Sequence, residues 1–336
     1  MSAPLLAVTD LSVAFRTDEG DVTAVDRVSF SVSPGEVLGI VGESGSGKSV
    51  SALAVMGLLP KPGGRVTSGE ILFEGEDLLK LPERRMRAIR GRRIGMIFQE
   101  PMTSLNPVFT IGDQIAETIV HHERIGLAAA RERAVDMLAR VGIPSARKRL
   151  DDYPHQLSGG MRQRVMIAIA LACSPKLLLA DEPTTALDVT IQAQLLDLLR
   201  DLQSEFGMAV LVITHNMGVI AEFADRVSVF YAGRIAEAAA AEALFDRPSH
   251  PYTRGLLAST PEMAEDTARL RTIPGMLPSI ASPPPGCRFA PRCKWMIPAC
   301  DAGRPPFASV GAGHVTACIR AAEVAAEPAA VGMDTA

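Results

Sequence analysis

The chain has 336 residues, and 34 Lys and Arg stand against 38 Asp and Glu for a formal net charge of −4. Roughly 150 residues per domain leaves room for two domains, and the near-neutral charge gives no reason to expect nucleic acid as a partner. We see no signal peptide at residues 1–10 and no uncharged apolar stretch of about 18 residues, so we expect an intracellular protein that leaves any membrane passage to other chains.

The first predicted elements are short strands at Leu5–Phe15 and Val28–Val32, where apolar and polar residues alternate. A buried strand, Val37–Val41, follows them and leads into a glycine-rich loop. After the loop, the apolar spacing predicts a helix over Lys48–Leu59 that ends at Pro60. The order strand, loop, helix is the one that a phosphate-binding loop requires.

The loop itself matches the phosphate-binding pattern at all eight positions: Gly42, Glu43, Ser44, Gly45, Ser46, Gly47, Lys48 and Ser49. Its glycines let the backbone curl until several N–H groups point at one spot, and the helix adds the positive end of its dipole there. Lys48 can reach the β- and γ-phosphates, and the Ser49 hydroxyl can ligate Mg²⁺. The loop therefore predicts a nucleotide site.

Further strands are predicted at Glu70–Phe73 and Ile94–Gln99. Six arginines between residues 84 and 93 have no aromatic residues among them, which favours a solvated helix face over a nucleic-acid or lipid surface. Between residues 101 and 175 the pattern becomes helical, most clearly at Ile111–Glu123, Ala128–Val141 and Gly160–Ala172.

From residue 177 onward strands and helices alternate again, at Leu177–Ala180, Ile191–Phe206, Ala209–Thr214, a helix after His215, and Val227–Tyr231. This alternation predicts a mostly parallel sheet with helices on its faces, split by a helical insertion at about residues 100–175.

Two carboxylates, Asp181 and Glu182, end the strand at Leu177–Ala180. They are expected at the sheet edge where open α/β folds bind ligands. Asp181 is placed to hold Mg²⁺ through water, and Glu182 to orient or deprotonate an attacking water.

Past about residue 240 the composition shifts to Pro, Ala and Cys, which indicates an added C-terminal module. Its four cysteines are separated by five, six and seventeen residues: Cys287, Cys293, Cys300 and Cys318. Inside a cell, metal or cluster binding is favoured over disulfides. These gaps are wider than the usual two to four residues or so between zinc ligands, while four thiolates are enough for a [4Fe-4S] cluster. Zinc and unliganded thiols are the alternatives.

Over roughly residues 5 to 240, these motifs together with the segment Leu157–Gln163 closely resemble the ATP-binding subunit of an ABC transporter. The resemblance implies an ATPase with a P-loop (RecA-like) α/β core, an N-terminal antiparallel β subdomain, an inserted helical subdomain and a C-terminal Cys-containing extension. It also implies that Ser158, Gly159 and Gly160 contact the γ-phosphate of ATP held by an opposite subunit. The N–H groups of a helix that starts there suit that role.

The same resemblance implies roles for four more residues. It places Gln99 in the loop that senses Mg²⁺ and water and touches the membrane subunits. It makes Asp188 the acidic residue of the loop that crosses the dimer, and His215 a contact of the γ-phosphate. Phe15 is the expected adenine-stacking aromatic, where the family often has Tyr, with a core Phe as the alternative.

The segments Ser249–Thr253, Ile273–Gly275 and Gly286–Cys293 resemble the C-terminal extension of dipeptide and oligopeptide importer ATPases, which implies the [4Fe-4S] cluster. The domains predicted are a nucleotide-binding domain at 1–240, the extension at 241–325, and a disordered tail at 326–336. ATP, Mg²⁺ and the cluster are the expected cofactors.

The partners implied are a second ATPase subunit (a paralogue or an identical copy), two transmembrane permeases and, through the complex, an extracytoplasmic substrate-binding protein. The resemblance places the chain at the cytoplasmic face of a bacterial membrane, as the ATPase that powers peptide import. Import of nickel or another small solute is the first alternative, and a soluble ABC ATPase outside transport is the second.

Overall fold

The computed structural model describes residues 3–18, 20–100, 104–184, 188–260 and 272–327. The chain forms two compact units, and it enters each of them more than once. The first unit consists of Met1–Leu5, Val32–Glu36 and Lys80–Ile213, and the second of Leu6–Ser31, Val37–Leu79 and Thr214–Ala336.

An antiparallel sheet in the second unit confirms the predicted N-terminal β subdomain. Its strand order is β2-β1-β4-β5, and the strands are β1 (Leu6–Thr17), β2 (Gly20–Val32), β4 (Gly64–Phe73) and β5 (Glu76–Asp77). β2 and β4 are longer than the strands predicted at Val28–Val32 and Glu70–Phe73. The added residues, at 20–27 and 64–69, include polar ones that an apolar pattern does not reveal.

The other strands of the second unit follow the order β11-β12-β10-β9-β3. They are β3 (Val37–Val41), β9 (Arg226–Tyr231), β10 (Arg234–Ala240), β11 (Ala308–Gly311) and β12 (His314–Thr316). β3 pairs with β9 in parallel, whereas β9, β10, β12 and β11 pair antiparallel. The segment after residue 240 thus adds a hairpin to this sheet.

Among its described residues, the second unit contains five α-helices: α1 (Lys48–Met56), α8 (Met217–Phe223), α9 (Ala241–Asp246), α10 (Pro251–Ala258) and α11 (Ala321–Ala326). The sequence predicts that α1 ends at Pro60, but it stops three residues earlier than Leu59. Gly57 adopts φ 61°, and its N–H donates to the carbonyls of Ala54 and Leu53. A glycine in this left-handed conformation satisfies the last carbonyls of a helix and ends it.

The first unit contains three parallel strands in the order β8-β7-β6. They are β6 (Ile94–Ile97), β7 (Leu177–Asp181) and β8 (Ala209–Thr214), and every one of their residues is buried. Continuous apolar runs of this kind are typical of parallel sheets covered on both faces. The predicted α/β fold is therefore confirmed.

The described part of the first unit includes the helices α2 (Glu83–Ile89), α3 (Ile111–Glu123), α4 (Leu127–Arg140), α5 (Ala146–Arg149), α6 (Gly159–Leu171) and α7 (Val189–Phe206). The bounds of α3 match the sequence prediction. Its start is well marked because the Thr110 side chain accepts a hydrogen bond from the Asp113 N–H. No helix within the described ranges has both the length and the apolar character that crossing a bilayer needs.

His250 caps helix α10. The imidazole Nδ1 accepts a hydrogen bond from the Tyr252 backbone N–H at 3.1 Å, and the His250 backbone N–H donates to the Glu237 carboxylate at 3.0 Å. Burial lowers the pKa of His250 from 6.5 to about 4, although Glu237 acts in the opposite direction. The imidazole is therefore neutral in the folded protein at pH values where an unfolded chain would already protonate it.

We expect the free energy of unfolding to decrease as the pH falls from about 6.5 toward 4, because only the unfolded state takes up this proton in that interval. The loss should be about 2 kcal/mol at pH 5. A His250→Asn variant keeps a good capping side chain without titrating, so its denaturant unfolding curves should depend less on pH. Equal pH dependence in both proteins would contradict the assignment.

Candidate functional site

The glycine-rich loop lies between β3 and α1 in the second unit. Gly42, Gly45 and Gly47 adopt φ values of 148°, 78° and 99°, which residues other than glycine rarely adopt. A Cβ atom at Gly42 would lie 2.1 Å from the Phe230 carbonyl oxygen, and one at Gly47 would lie 2.9 Å from that of Ala24. Gly42 and Gly47 are thus required by both conformation and space, as the phosphate-loop prediction implies.

Lys48 is the first residue of α1 and is 5% exposed. Its Nζ donates to the carbonyl oxygens of Gly42 at 2.7 Å and Glu43 at 3.0 Å, so the ammonium lies over the loop. The Ser46 hydroxyl is fully buried, and within the described part of the chain it has no hydrogen-bond partner. A buried polar atom without a hydrogen-bond partner costs free energy, and a phosphate oxygen would supply that partner. The loop therefore fits the triphosphate of a nucleotide.

The paired acids lie in the first unit at the end of β7. Asp181 is 5% exposed. Glu182 adopts φ 47°, a left-handed conformation that costs a residue other than glycine on the order of 1 kcal/mol. Its N–H donates to the Ile213 carbonyl at 2.8 Å. This strained turn carries the carboxylate that follows β7.

The structure brings together Gln99 and Glu182. Gln99 follows β6 and Glu182 follows β7, which are neighbouring parallel strands, so their carboxyl ends meet at one edge. The Gln99 Nε2 donates to a Glu182 carboxylate oxygen at 3.1 Å. The pair places an amide and a carboxylate side by side, where both can contact one water molecule and orient it as a nucleophile.

Ser158 is the N-cap of α6, and its hydroxyl accepts a hydrogen bond from the Met161 N–H at 3.4 Å. Both Ser158 and Gly159 are exposed. A Cβ atom at Gly159 would meet nothing within 4 Å, whereas one at Gly160 would lie 3.2 Å from Ile191. The helix therefore begins at an open surface where its N–H groups can accept an anion.

Gln163, to which the amino-acid pattern assigns no role, connects α6 to the turn that follows Asp181 and Glu182. Gln163 of α6 is 2% exposed, and its Nε2 donates to the Pro183 carbonyl at 2.5 Å. Pro183 directly follows Glu182, so Gln163 helps to fix the turn that carries the acid. An amide in the apolar face of a helix is the sequence signal that could have identified it.

The remaining predicted residues lie at the ends of elements. Asp188 is exposed at the N-cap of α7, and His215 is exposed between β8 and α8. Ser49 is the second residue of α1. Phe15 lies on β1 opposite Gly64, and a Cβ atom at Gly64 would come within 2.9 Å of its ring. Its predicted contact with adenine stays a prediction.

The four cysteines of the extension line a single pocket in the second unit. The Cys287 N–H donates to the Cys300 carbonyl at 2.8 Å, so two of the four meet through their backbones. However, in the ranges that the structure covers, no three His, Cys, Asp or Glu side chains are arranged to hold a metal ion. The structure thus supports the convergence of the cysteines but does not show the predicted [4Fe-4S] cluster.

The surroundings of the thiols are largely apolar. The pocket is walled largely by apolar residues, among them Phe289 and Trp295. Burial raises the pKa of Cys287, Cys293 and Cys318, in the last case to about 11. Metals bind thiolates, so metal binding here would require these thiols to lose their protons.

The chain matches two family models. The first, described as ABC transporter, matches residues 25–185. The second, described as oligopeptide/dipeptide transporter, C-terminal region, matches residues 236–300.

Similar proteins occur in several bacteria. A Brucella melitensis protein, whose name gives peptide import ATP binding as its expected role, is 53% identical over an alignment of 334 residues that covers 96% of this chain and 99% of the relative. A Sinorhizobium fredii protein, named for the expected role of a peptide ABC transporter ATP-binding protein, is 53% identical over 321 residues, which are 95% of this chain and 96% of the relative.

Solved structures show the same fold. The ATP-binding cassette MJ0796, solved as a dimer in a post-hydrolysis state with ADP and Pi, has a TM-score of 0.64 at 28% identity, over 70% of this chain and 98% of that one. CbiO1 from Clostridium perfringens, part of the cbiONQ transporter complex, has a TM-score of 0.62 at 27% identity, over 73% of this chain and 91% of that one.

Proposed function

Because this chain belongs to the family of ATP-binding subunits of ABC-type dipeptide and oligopeptide transporters, we propose that it powers peptide import across the cytoplasmic membrane. ATP hydrolysis is the activity of this family. The observation that carries the catalytic part of the proposal is the hydrogen bond of 3.1 Å between Gln99 and Glu182. It gives the chain a carboxylate and an amide positioned to orient a water molecule.

The phosphate loop is the proposed binding site for the triphosphate. Its backbone N–H groups and the start of α1 offer donors to phosphate oxygens. Lys48 would exchange its hydrogen bonds to the loop carbonyls for contacts to the β- and γ-phosphates, a charge-assisted interaction stronger than the one it replaces. The buried Ser46 hydroxyl would gain a partner at the same time.

Hydrolysis is assigned to Glu182, which would accept the proton of the attacking water while Gln99 holds that water in place. His215 is proposed to contact the γ-phosphate. Ser49 and, through water, Asp181 would hold Mg²⁺, with Gln99 beside it. When bound, Mg²⁺ neutralises charge on the phosphates.

A dimer is proposed as the working form. Ser158, Gly159 and Gly160 open α6 at an exposed surface, and their donors suit the γ-phosphate of ATP bound to a second ATPase subunit. Asp188 is proposed to meet that subunit as well. The solved dimer of the related cassette MJ0796 supports this arrangement. ATP-driven closure would act on two transmembrane permeases at the cytoplasmic face of the membrane.

To test which solute is transported, the chain is purified with its membrane partners under mild conditions and reconstituted with them in liposomes. We expect ATP hydrolysis to rise when the substrate-binding protein carries a dipeptide or oligopeptide, together with uptake of labelled peptide. Stimulation by a nickel complex and not by peptides would favour the small-solute alternative. Co-purification with ribosomes or DNA instead of membrane chains would contradict a role in transport.

We also propose that the four cysteines of the extension bind a [4Fe-4S] cluster, held by Cys287, Cys293, Cys300 and Cys318. Their convergence on one pocket supports this proposal. Binding would require the thiols to lose their protons and turn toward a common centre, which the charge of iron favours. Since the pocket borders α10 and the neighbouring hairpin, we assign the cluster a structural role.

The expected result is iron and acid-labile sulfide in anaerobically purified protein, with visible absorbance from thiolate-to-iron transitions. A Cys293→Ser substitution should remove most of this absorbance. The matched control is Cys173→Ser, since Cys173 is buried in the first unit and does not line the pocket. Bound zinc without iron would replace the cluster by a zinc site, and four unliganded thiols would refute metal binding.

A further inference from the structure

Glu43 of the phosphate loop is held at three of its groups. Its N–H donates to the Tyr252 hydroxyl oxygen at 2.8 Å, and its carbonyl accepts from Lys48 Nζ at 3.0 Å. Its carboxylate accepts from both terminal nitrogens of Arg292, at 2.7 and 2.9 Å. Tyr252 and Arg292 lie 209 and 249 residues further along the chain. The C-terminal extension therefore contacts the loop directly.

We propose that Arg292 and Tyr252 are positioning residues for nucleotide binding. They fix Glu43 and, through its carbonyl, the place where Lys48 rests before it reaches a phosphate. This inference rests on the proposed role of the loop at residues 42–49 in holding ATP. It makes the extension part of the nucleotide-binding machinery as well as a carrier of cysteines.

The Arg292 side chain is held in place by burial, a hydrogen bond and two aromatic rings. It is 6% exposed, and its Nε donates to the Pro274 carbonyl at 2.9 Å. The guanidinium lies over the rings of Tyr231 and Phe289, at 5.8 and 5.9 Å from their centroids. A guanidinium fork matched to a carboxylate fixes the direction of both groups as well as their distance.

Tyr252 is equally well fixed. It is fully buried as the second residue of α10, and its ring packs against Tyr231 and Phe289 with centroids 4.5 and 5.5 Å apart. Rings locked in this way leave the hydroxyl little freedom, so it accepts the Glu43 N–H at a fixed point. The extension reaches the loop at a third place, where Leu277 lies 3.6 Å from the position of a Cβ atom on Gly45.

Loss of these contacts should affect nucleotide binding for two reasons. First, the loop carbonyl that holds Lys48 would lose its anchor, so the ammonium would no longer start from one position. Second, without Arg292 the Glu43 carboxylate would be an unpaired negative charge in the phosphate loop, and it would repel the phosphates. Neither effect touches the water-activating pair Gln99 and Glu182, so affinity should change more than turnover.

The test measures MgADP binding to the purified full chain by calorimetry, for Arg292→Gln, Glu43→Gln, the double variant and Tyr252→Phe. We expect Arg292→Gln to weaken binding by roughly fivefold or more and Tyr252→Phe by about twofold. The double variant should lose much less than the product of the single losses, because the two side chains act on each other. In the assembled transporter, KM for ATP should rise while kcat changes little.

Lys294→Gln is the matched control, since it removes a cation two residues from Arg292 that pairs instead with Glu327 at 3.0 Å. Its nucleotide affinity should equal that of the unmodified protein. Independent losses in the double variant, or unchanged affinity in Arg292→Gln, would overturn the inference. If Arg292→Gln fails to fold, Tyr252→Phe and Glu43→Gln decide it, and unchanged affinity in both overturns it. Undiminished binding by Lys48→Met would instead refute the proposed role of the loop.

Discussion

A Glu182→Gln variant should bind MgATP as tightly as the unmodified protein and hydrolyse it roughly a hundredfold to ten-thousandfold more slowly. The substitution keeps the size of the side chain and a carbonyl oxygen that can still accept from Gln99. It removes only the ability to take up a proton from water. Phosphate release from the assembled transporter and nucleotide binding by calorimetry measure the two effects separately.

The matched control is Glu205→Gln, the same chemical change at an exposed residue of α7 whose carboxylate pairs with Arg140. An exposed ion pair contributes little, so its hydrolysis rate should be nearly normal. Undiminished turnover in Glu182→Gln would refute the assignment of the base. Because ATP would persist in the variant, dimers should accumulate when it is added, which sedimentation can detect.

The second large effect is expected at Lys48. Lys48→Ala should weaken binding of MgATP by at least about tenfold, because a cation that contacts the phosphates supplies charge-assisted hydrogen bonds. Lys48→Met retains the aliphatic stem, which is largely buried, so a loss of affinity in this variant reports on the charge. Both are measured by calorimetry with the purified chain.

The control for this substitution is Lys294→Met, which removes an exposed ammonium of the same unit outside the loop. Thermal unfolding of Lys48→Met should remain close to that of the unmodified protein if the loop keeps its conformation. A Lys48→Met protein that is folded and binds MgATP normally would contradict the proposed phosphate site.

Individual elements show how far the amino-acid pattern predicts the fold. The bounds of α3 follow from apolar spacing and the Thr110 cap, both of which are local. In contrast, β11 and β12 are not predicted, because β11 is entirely exposed and neither strand has an apolar alternation to reveal it. The pairing of β12 with β10 depends on residues more than 70 positions earlier, such as Glu237 opposite Thr316.

The candidate site shows the same division. The phosphate loop, the paired acids and the start of α6 each place glycines or charges at the end of an element within a few residues, and short segments of this kind are visible in a sequence. The bond between Gln99 and Glu182 was not predicted, because it depends on the fold placing β6 and β7 side by side. Gln163 had no such signal beyond its place on an apolar helix face.

Local chemistry in the amino-acid order was therefore sufficient to establish the α/β fold, the nucleotide loop and the membership of an ATP-driven transporter family. Tertiary structure alone decided that Arg292 and Tyr252 hold Glu43, and that four cysteines spaced irregularly along the chain share one pocket. The physical reason is range: backbone conformation and capping depend on neighbours within a few residues, whereas packing and ion pairing depend on which distant segments the fold brings into contact.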